Sequence, residues 1–292
     1  MRVFVTGASG HIGSAVLPEL IAGGHEVFGL ARSDAAEKKV REAGAGVRRG
    51  SLDDLDLLRE AAGEADAVIH LAFGNELMMS GDFAGAVAQD LIHVKALGDA
   101  LIGTGKGLFG IGMQRAADAA YNATIDTNPR SQVTRLIVDY ARQGVRAATF
   151  AVPPVTHSDL DRHGFIPMLI GIARRTGVSG YPGDGANTWP AAHTRDLATL
   201  YRLAVEKAPA GAQLYAATEA GVPLRQIAEV IGRRLGLPTV SIPQEEVDRH
   251  FAGFPFVRID FTMPNDETRE LLGWNPQHPG LIADLEQGHY FA

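Results

Sequence analysis

Apolar residues in this chain fall into short runs separated by amphipathic stretches. Arg2 to Val5 is a run fit for a buried strand, and from Ser14 the pattern turns helical, with Val16, Leu17, Leu20 and Ile21 on one face. Gly23 and Gly24 stop that helix. Pro18 inside it predicts a local kink rather than a break. His25 to Leu30, Val47 to Leu52 and Ala67 to Phe73 read as three further strands, followed by a long helix over Phe83 to Ile102. Leu108 to Met113 and Arg146 to Val152 read as strands five and six. Such alternation predicts an α/β fold with a doubly wound parallel sheet. The later pieces, Pro223 to Leu235, Thr239 to Ile242, Gln244 to His250 and Glu267 to Trp274, suit a small C-terminal cap. The expected division is 1–155 for the sheet domain and 156–292 mainly for the cap, with segments near 190–220 returning to the first.

Between the first strand and the first helix stand Gly7, Gly10 and Gly13. Strand, glycine turn, helix is the arrangement that brings backbone N–H groups and a helix N-terminus up to a phosphate. A Cβ would block either the tight turn or the approach of a pyrophosphate. Gly7, Ser9, Gly10, His11, Ile12 and Gly13 are therefore candidate dinucleotide contacts. At the tip of the second strand an NAD-binding turn carries an acid for the ribose 2′-hydroxyl. Here Arg32 and Ser33 stand instead, and a guanidinium fork suits a 2′-phosphate. NADP(H) is the expected cofactor, with a solvated loop charge as the alternative reading of Arg32.

Composition narrows the partners. The net charge of −7 argues against nucleic acid, and the absence of cysteine removes disulfides, thiolate metal sites and a cysteine nucleophile together. No metal-ligand spacing and no membrane-length apolar run is present. With Met1 leading straight into the first strand, a cytoplasmic protein with a small-molecule substrate is expected, with a homodimer as an assembly open to it.

The TGxxGxxG spacing of Thr6 to Gly13 resembles the extended short-chain dehydrogenase/reductases, the NAD-dependent epimerase/dehydratases. The resemblance runs along nearly the whole chain and implies a Rossmann-type sheet with a cap. In the family a GD pair follows the third strand and places an aspartate near the adenine; here Gly50-Ser51 stands there, leaving Ser51 and Leu52 as the counterparts and Asp53 as a helix cap. AVIHLAF resembles the apolar strand whose tail, here Leu71, Ala72 and Phe73, packs along the cofactor. Its His70 is expected to be a hydrogen-bonded core histidine. The loop 74–81, with Met78 and Met79, is read as pocket wall or core filler. Pro153, Pro154 and Val155 resemble the proline turn beneath the nicotinamide. Gly183 to Asp196 resembles the G-D-G-x-N…H-x-x-D segment, in which Asp196 is expected to cap or bridge and Trp189 to be pocket wall or core.

The chain departs from the family at its catalytic residues. Leu108 to Gln114 carries no hydroxyl where the family has its serine or threonine, and no tyrosine is followed four places later by lysine. The helix expected to carry that pair begins near Pro129, with Thr134 or Arg135 near the lysine's place. An alternative proton donor is sought at Tyr121, in the loop after strand five, or at His157. His157 and His163 flank the polar stretch Ser158 to Arg162 and read either as acids near the substrate or as solvated loop residues. The implied activity is an NADP(H)-binding oxidoreductase acting on a small carbonyl, imine or alcohol. A lyase, isomerase or cyclase on the same fold, and an NADP(H)-sensing regulatory protein, are the alternatives.

Overall fold

The computed structural model describes residues 1–114 and 119–292, without the side chains of Asn75, Met79, Ala119, Ala120, Tyr121, Thr124 and Pro255. The chain divides into two compact units, each assembled from three segments. The first comprises Met1–Ala151, Leu197–Tyr215 and Asp266–Trp274. It opens with β1 (Arg2–Thr6), α1 (His11–Ala22), β2 (Glu26–Ala31), α2 (Asp34–Glu42), β3 (Gly46–Arg49), α3 (Leu55–Glu64) and β4 (Ala67–His70). There follow α4 (Asn75–Met79), α5 (Phe83–Asp99), β5 (Gly107–Ile111), α6 (Ala119–Thr127), α7 (Ser131–Ala141) and β6 (Arg146–Ala151). The second unit begins with β7 (Val155–His157), α8 (Phe165–Thr176), β8 (Ser179–Pro182) and β9 (Thr188–His193). From Leu197 onward α9 (Thr194–Lys207) belongs to the first unit, as does β10 (Ala212–Tyr215). Then come β11 (Glu219–Pro223), α10 (Leu224–Leu235), β12 (Thr239–Ile242), α11 (Val247–His250), α12 (Asp266–Leu272) and α13 (Leu281–Glu286).

The first unit is built on a seven-stranded sheet in the order β10-β6-β5-β4-β1-β2-β3, with every pair parallel. From β1 the chain steps outward to β2 and β3, then crosses back to β4 on the other side of β1. That reversal is the switch point at which open α/β sheets form a ligand crevice, and the glycine turn lies at it. The central strands are apolar on both faces because helices cover both: Val3, Val5, Val68, Ile69, Leu108 and Phe109 are all fully buried. Contact between α5 and α7 is close. A Cβ on Gly98 would stand 2.2 Å from the Tyr140 ring, whose hydroxyl donates to Asp99 at 2.7 Å.

The second unit has a three-stranded sheet, β11-β9-β7, and a β12-β8 pair. Its core gathers Ile166, Trp189, Ile227, Ile231 and Phe251. Trp189 is core, with its indole N–H donating to the Phe256 carbonyl at 3.1 Å.

Several boundaries differ from the sequence reading. α1 starts at His11 and runs through Pro18 unbroken. β3 stops at Arg49, because Ser51 folds the chain into a turn that accepts the Asp53 N–H. Asp54, not Asp53, caps α3, accepting from the Leu57 N–H at 3.0 Å. α4 stands inside what reads as a loop, and α12 joins the first unit rather than the cap. Tyr121 lies on a helix, α6, rather than in a loop; its side chain is outside the described residues.

Candidate dinucleotide site

The three glycines of the turn differ in what makes them necessary. Gly7 has φ +68, and a Cβ there would stand 2.6 Å from the Ala72 nitrogen. A Cβ on Gly13 would meet the carbonyl oxygens of Gly7 at 2.3 Å and Ala8 at 2.7 Å. The packing of the chain itself therefore excludes a side chain at both. Gly10 is different: its φ is −79, and a Cβ there would touch only the Gly7 oxygen, at 3.1 Å. A side chain at Gly10 would fill the cradle rather than the core. Behind the cradle is the N-terminus of α1. The N-cap of α1 is Gly10, with no side-chain cap and no acid in the first turn. An uncapped positive helix end beside a glycine cradle fits the pyrophosphate of a dinucleotide.

One wall of the cradle is the tail of β4, held by a buried polar chain. The Thr6 hydroxyl and His70 Nδ1 are 2.6 Å apart, and His70 Nε2 is 3.0 Å from Asp90 on α5. All three residues are buried. With Nε2–H donating to Asp90, Nδ1 accepts from Thr6, whose oxygen in turn receives the Ala72 N–H at 3.4 Å. The chain fixes Leu71, Ala72 and Phe73, all half-buried, beside Gly7. Phe73 lies under the Arg130 guanidinium, 4.2 Å from its ring centre. His70 is thus the hydrogen-bonded core histidine expected. Asp90 was missed; its signal is an acid between Val87 and Val94 on an apolar helix face.

At the tip of β2 the Ser33 hydroxyl accepts the Ala36 N–H at 3.2 Å, which leaves its own proton to donate. Arg32 is mostly exposed and donates to Glu76 of α4 at 2.9 Å. The Ser51 hydroxyl donates to Asp53 at 3.0 Å, and Leu52 beside it is half-buried.

Where β5 ends, the Met113 N–H donates to Thr134 Oγ1 at 2.8 Å. Gln114 is buried and donates to Thr149 Oγ1 at 3.1 Å and to the Leu214 carbonyl at 3.3 Å. Arg135 faces solvent. Tyr201, fully buried and stacked on Phe150 with ring centres 4.0 Å apart, is held protonated by burial.

In the second unit Val155 is buried at the start of β7, and the Pro153 carbonyl accepts from the Thr156 hydroxyl at 3.5 Å. His157 corrects the sequence reading: it is a strand residue and fully buried, with Nδ1 2.9 Å from Asp284. His163 is exposed. Around His157 the fold gathers groups that no sequence spacing connects. Its ring meets His193 edge-on at 5.3 Å, and His193 stacks on His278 at 4.6 Å with the planes 4° apart. Burial, with the nearby His157 and His278, lowers the His193 pKa to about 4. Asp196 bridges as expected, accepting the backbone N–H groups of Gln277 at 2.8 Å and His278 at 3.0 Å.

Strand order, switch point and glycine turn together define a Rossmann-type α/β protein. Comparison with known proteins narrows the class. Residues 3–94 match the NAD dependent epimerase/dehydratase family. An uncharacterized Schizosaccharomyces pombe protein is 38% identical over 100% of both chains. The chain belongs to the NAD-dependent epimerase/dehydratase family. A Stigmatella aurantiaca 4-hydroxy-2-methyl-3-oxo-4-farnesyl-3,4-dihydroquinoline-1-oxide ketoreductase is 26% identical over 81% of this chain and 74% of its own. Among solved structures, the Streptomyces venezuelae dTDP-glucose 4,6-dehydratase with NAD bound superposes with a TM-score of 0.74. It is 19% identical over 98% of this chain and 96% of that one, a likeness of fold. Among the described residues no helix is long and apolar enough to cross a membrane.

Proposed function

We propose that the chain is an NADP(H)-dependent oxidoreductase acting on a small organic carbonyl, imine or alcohol, with a proton donor other than the family's tyrosine. The observation that carries the reading is Gly10, a glycine whose Cβ the chain could nearly accommodate but a pyrophosphate could not. In this reading the Gly7–Gly13 turn and the N-terminus of α1 hold the pyrophosphate, Leu71 to Phe73 wall the cofactor, and Ser51 and Leu52 flank the adenine. Arg32 and the Ser33 hydroxyl take the 2′-phosphate, since β2 ends without an acid. The ion pair of Arg32 with Glu76 is exposed on both sides, so a phosphate displaces it at little cost. Bound cofactor supplies the hydride; the ketoreductase relative supports carbonyl chemistry.

Burial removes His157 from direct proton donation and leaves Tyr121 as the candidate. Arg32→Ala should lower NADPH affinity roughly tenfold to a hundredfold, the weight of a charge-assisted contact of about 1.5–3 kcal/mol, with little effect on NADH. Equal losses for both cofactors in titration calorimetry would dismiss Arg32 from the 2′-phosphate. Tyr121→Phe should cut turnover about 10²-fold or more in a stopped-flow assay of NADPH oxidation. The missing Y-x-x-x-K favours a second reading, an NADP(H)-sensing protein or a non-redox enzyme. It prevails if no carbonyl, imine or alkene oxidises NADPH with the wild-type chain.

A further inference from the structure

Within the second unit, His193 closes β9, Asp196 lies in the first turn of α9, and His278 follows the Asn275-Pro276 turn. One ligand atom from each, imidazole nitrogen or carboxylate oxygen, lies within 4.8 Å of the others. We propose that His193, Asp196 and His278 bind a divalent transition-metal ion of the zinc type.

The donor set suits that class. Two imidazoles and a carboxylate match zinc and its first-row neighbours, whereas magnesium and calcium take oxygen almost alone. Spacing is close to what coordination needs. Bonds of about 2.0–2.1 Å place tetrahedral ligand atoms roughly 3.3 Å apart, so the most distant pair must close by about 1.5 Å. His278 Nδ1 and Asp196 Oδ1 already stand at 2.8 Å, where an ion takes the place of the shared proton. Supporting contacts exist on the carboxylate side. Backbone N–H groups of Gln277 and His278 orient the Asp196 carboxylate. The Arg195 N–H reaches His193 Nδ1 at 3.3 Å, a long contact that gives way when Nδ1 takes the ring proton and Nε2 turns to the ion.

A further observation points to a ligand. A cavity of about 400 Å³ opens on His193 and His278 and is also lined by Asp159, Asp284 and His289. It gives the ion an entry path and a position for water or a small anion, the open fourth place of a non-structural zinc site. Behind His193 lies the fully buried His157, whose Nε2 has no hydrogen-bond partner while Nδ1 is held by Asp284. None of these residues belongs to the dinucleotide site, so the two proposals stand apart.

The test uses the full-length, untagged protein, stripped by chelator and titrated with Zn²⁺ and then Co²⁺. One equivalent of Zn²⁺ should bind at micromolar dissociation constant or tighter and raise the melting temperature. Co²⁺ should give the visible absorption of a four- or five-coordinate site. His278→Ala, at a position about one-third exposed, should weaken both ions at least a hundredfold. Exposed His163→Ala should leave binding unchanged. Should His278→Ala lose its fold by circular dichroism, His278→Gln is read in its place. Absence of stoichiometric binding, or binding equal in the wild type and the His278 variant, overturns the proposal and returns the cluster to a purely structural latch.

Discussion

Gly10 and Gly13 are three residues apart, and substitution should separate their roles. Gly10→Val is expected to lose dinucleotide affinity and to lower the melting temperature far less than Gly13→Val, because its Cβ meets only the Gly7 oxygen and points to the cradle rather than the core. Gly13→Val should destabilise the fold itself, since its Cβ collides with two carbonyl oxygens. Calorimetric titration beside a thermal melt distinguishes them; a Gly10→Val variant that binds NADPH normally would remove the turn from the site. His93 offers a test through pH. Burial foremost, then the neighbouring His70, lowers its pKa below the usual 6.5, while Asp90 and Asp53 pull it the other way. The unfolded chain therefore binds the extra proton first, and stability is lost as pH falls below about 6.5 toward the lowered value. His93→Gln should flatten the dependence of urea midpoint on pH between 5 and 7; an unchanged slope would assign it to other groups. Legibility in the sequence varied by residue in the same physical way. His70 declared itself because its neighbours Val68, Ile69, Leu71 and Ala72 are apolar. His157 did not, because it sits against the polar run Ser158 to Arg162 and its partner, Asp284, is 127 residues away.

Helices and strands with a full apolar face were readable, and those without were not. β1 and β4 follow continuous apolar runs, and β6 follows one that Thr149 interrupts. β10 is four residues of which Leu214 alone is fully buried, so local pattern carries no signal for it. α4 spans five residues and α6 lacks a marked apolar stripe. A pairing of elements that sequence could not reveal is the α5–α7 contact. Alanine is a better helix former than glycine by about 1 kcal/mol, so Gly98→Ala would stabilise an isolated α5. In the folded chain the added methyl meets the Tyr140 ring, which hydrogen bonds to Asp99 and to the Lys95 carbonyl hold in place. Overpacking costs about 1–3 kcal/mol and should outweigh the propensity gain. A lower urea midpoint is expected; a higher one would mean that the two helices part easily.

Neither unit is continuous in sequence, and this governs how the molecule can be divided. β6 ends at Ala151, but its outer neighbour β10 is Ala212–Tyr215. A fragment 1–151 leaves β6 as a bare edge, with unpaired backbone groups and a strand that is buried from Ala147 to Ala151 in the whole chain. It should aggregate and show no cooperative urea transition, whereas the full chain should show one. A soluble fragment 1–151 with a sharp transition would mean that β10 and α9 are dispensable to the first unit. The same interleaving sets an order on synthesis. About sixty residues separate β6 from β10, and at roughly 5–20 residues per second a ribosome takes on the order of 3–12 s to make them. Throughout that interval the nascent sheet carries an open edge, and it is there that a holding chaperone would find its client.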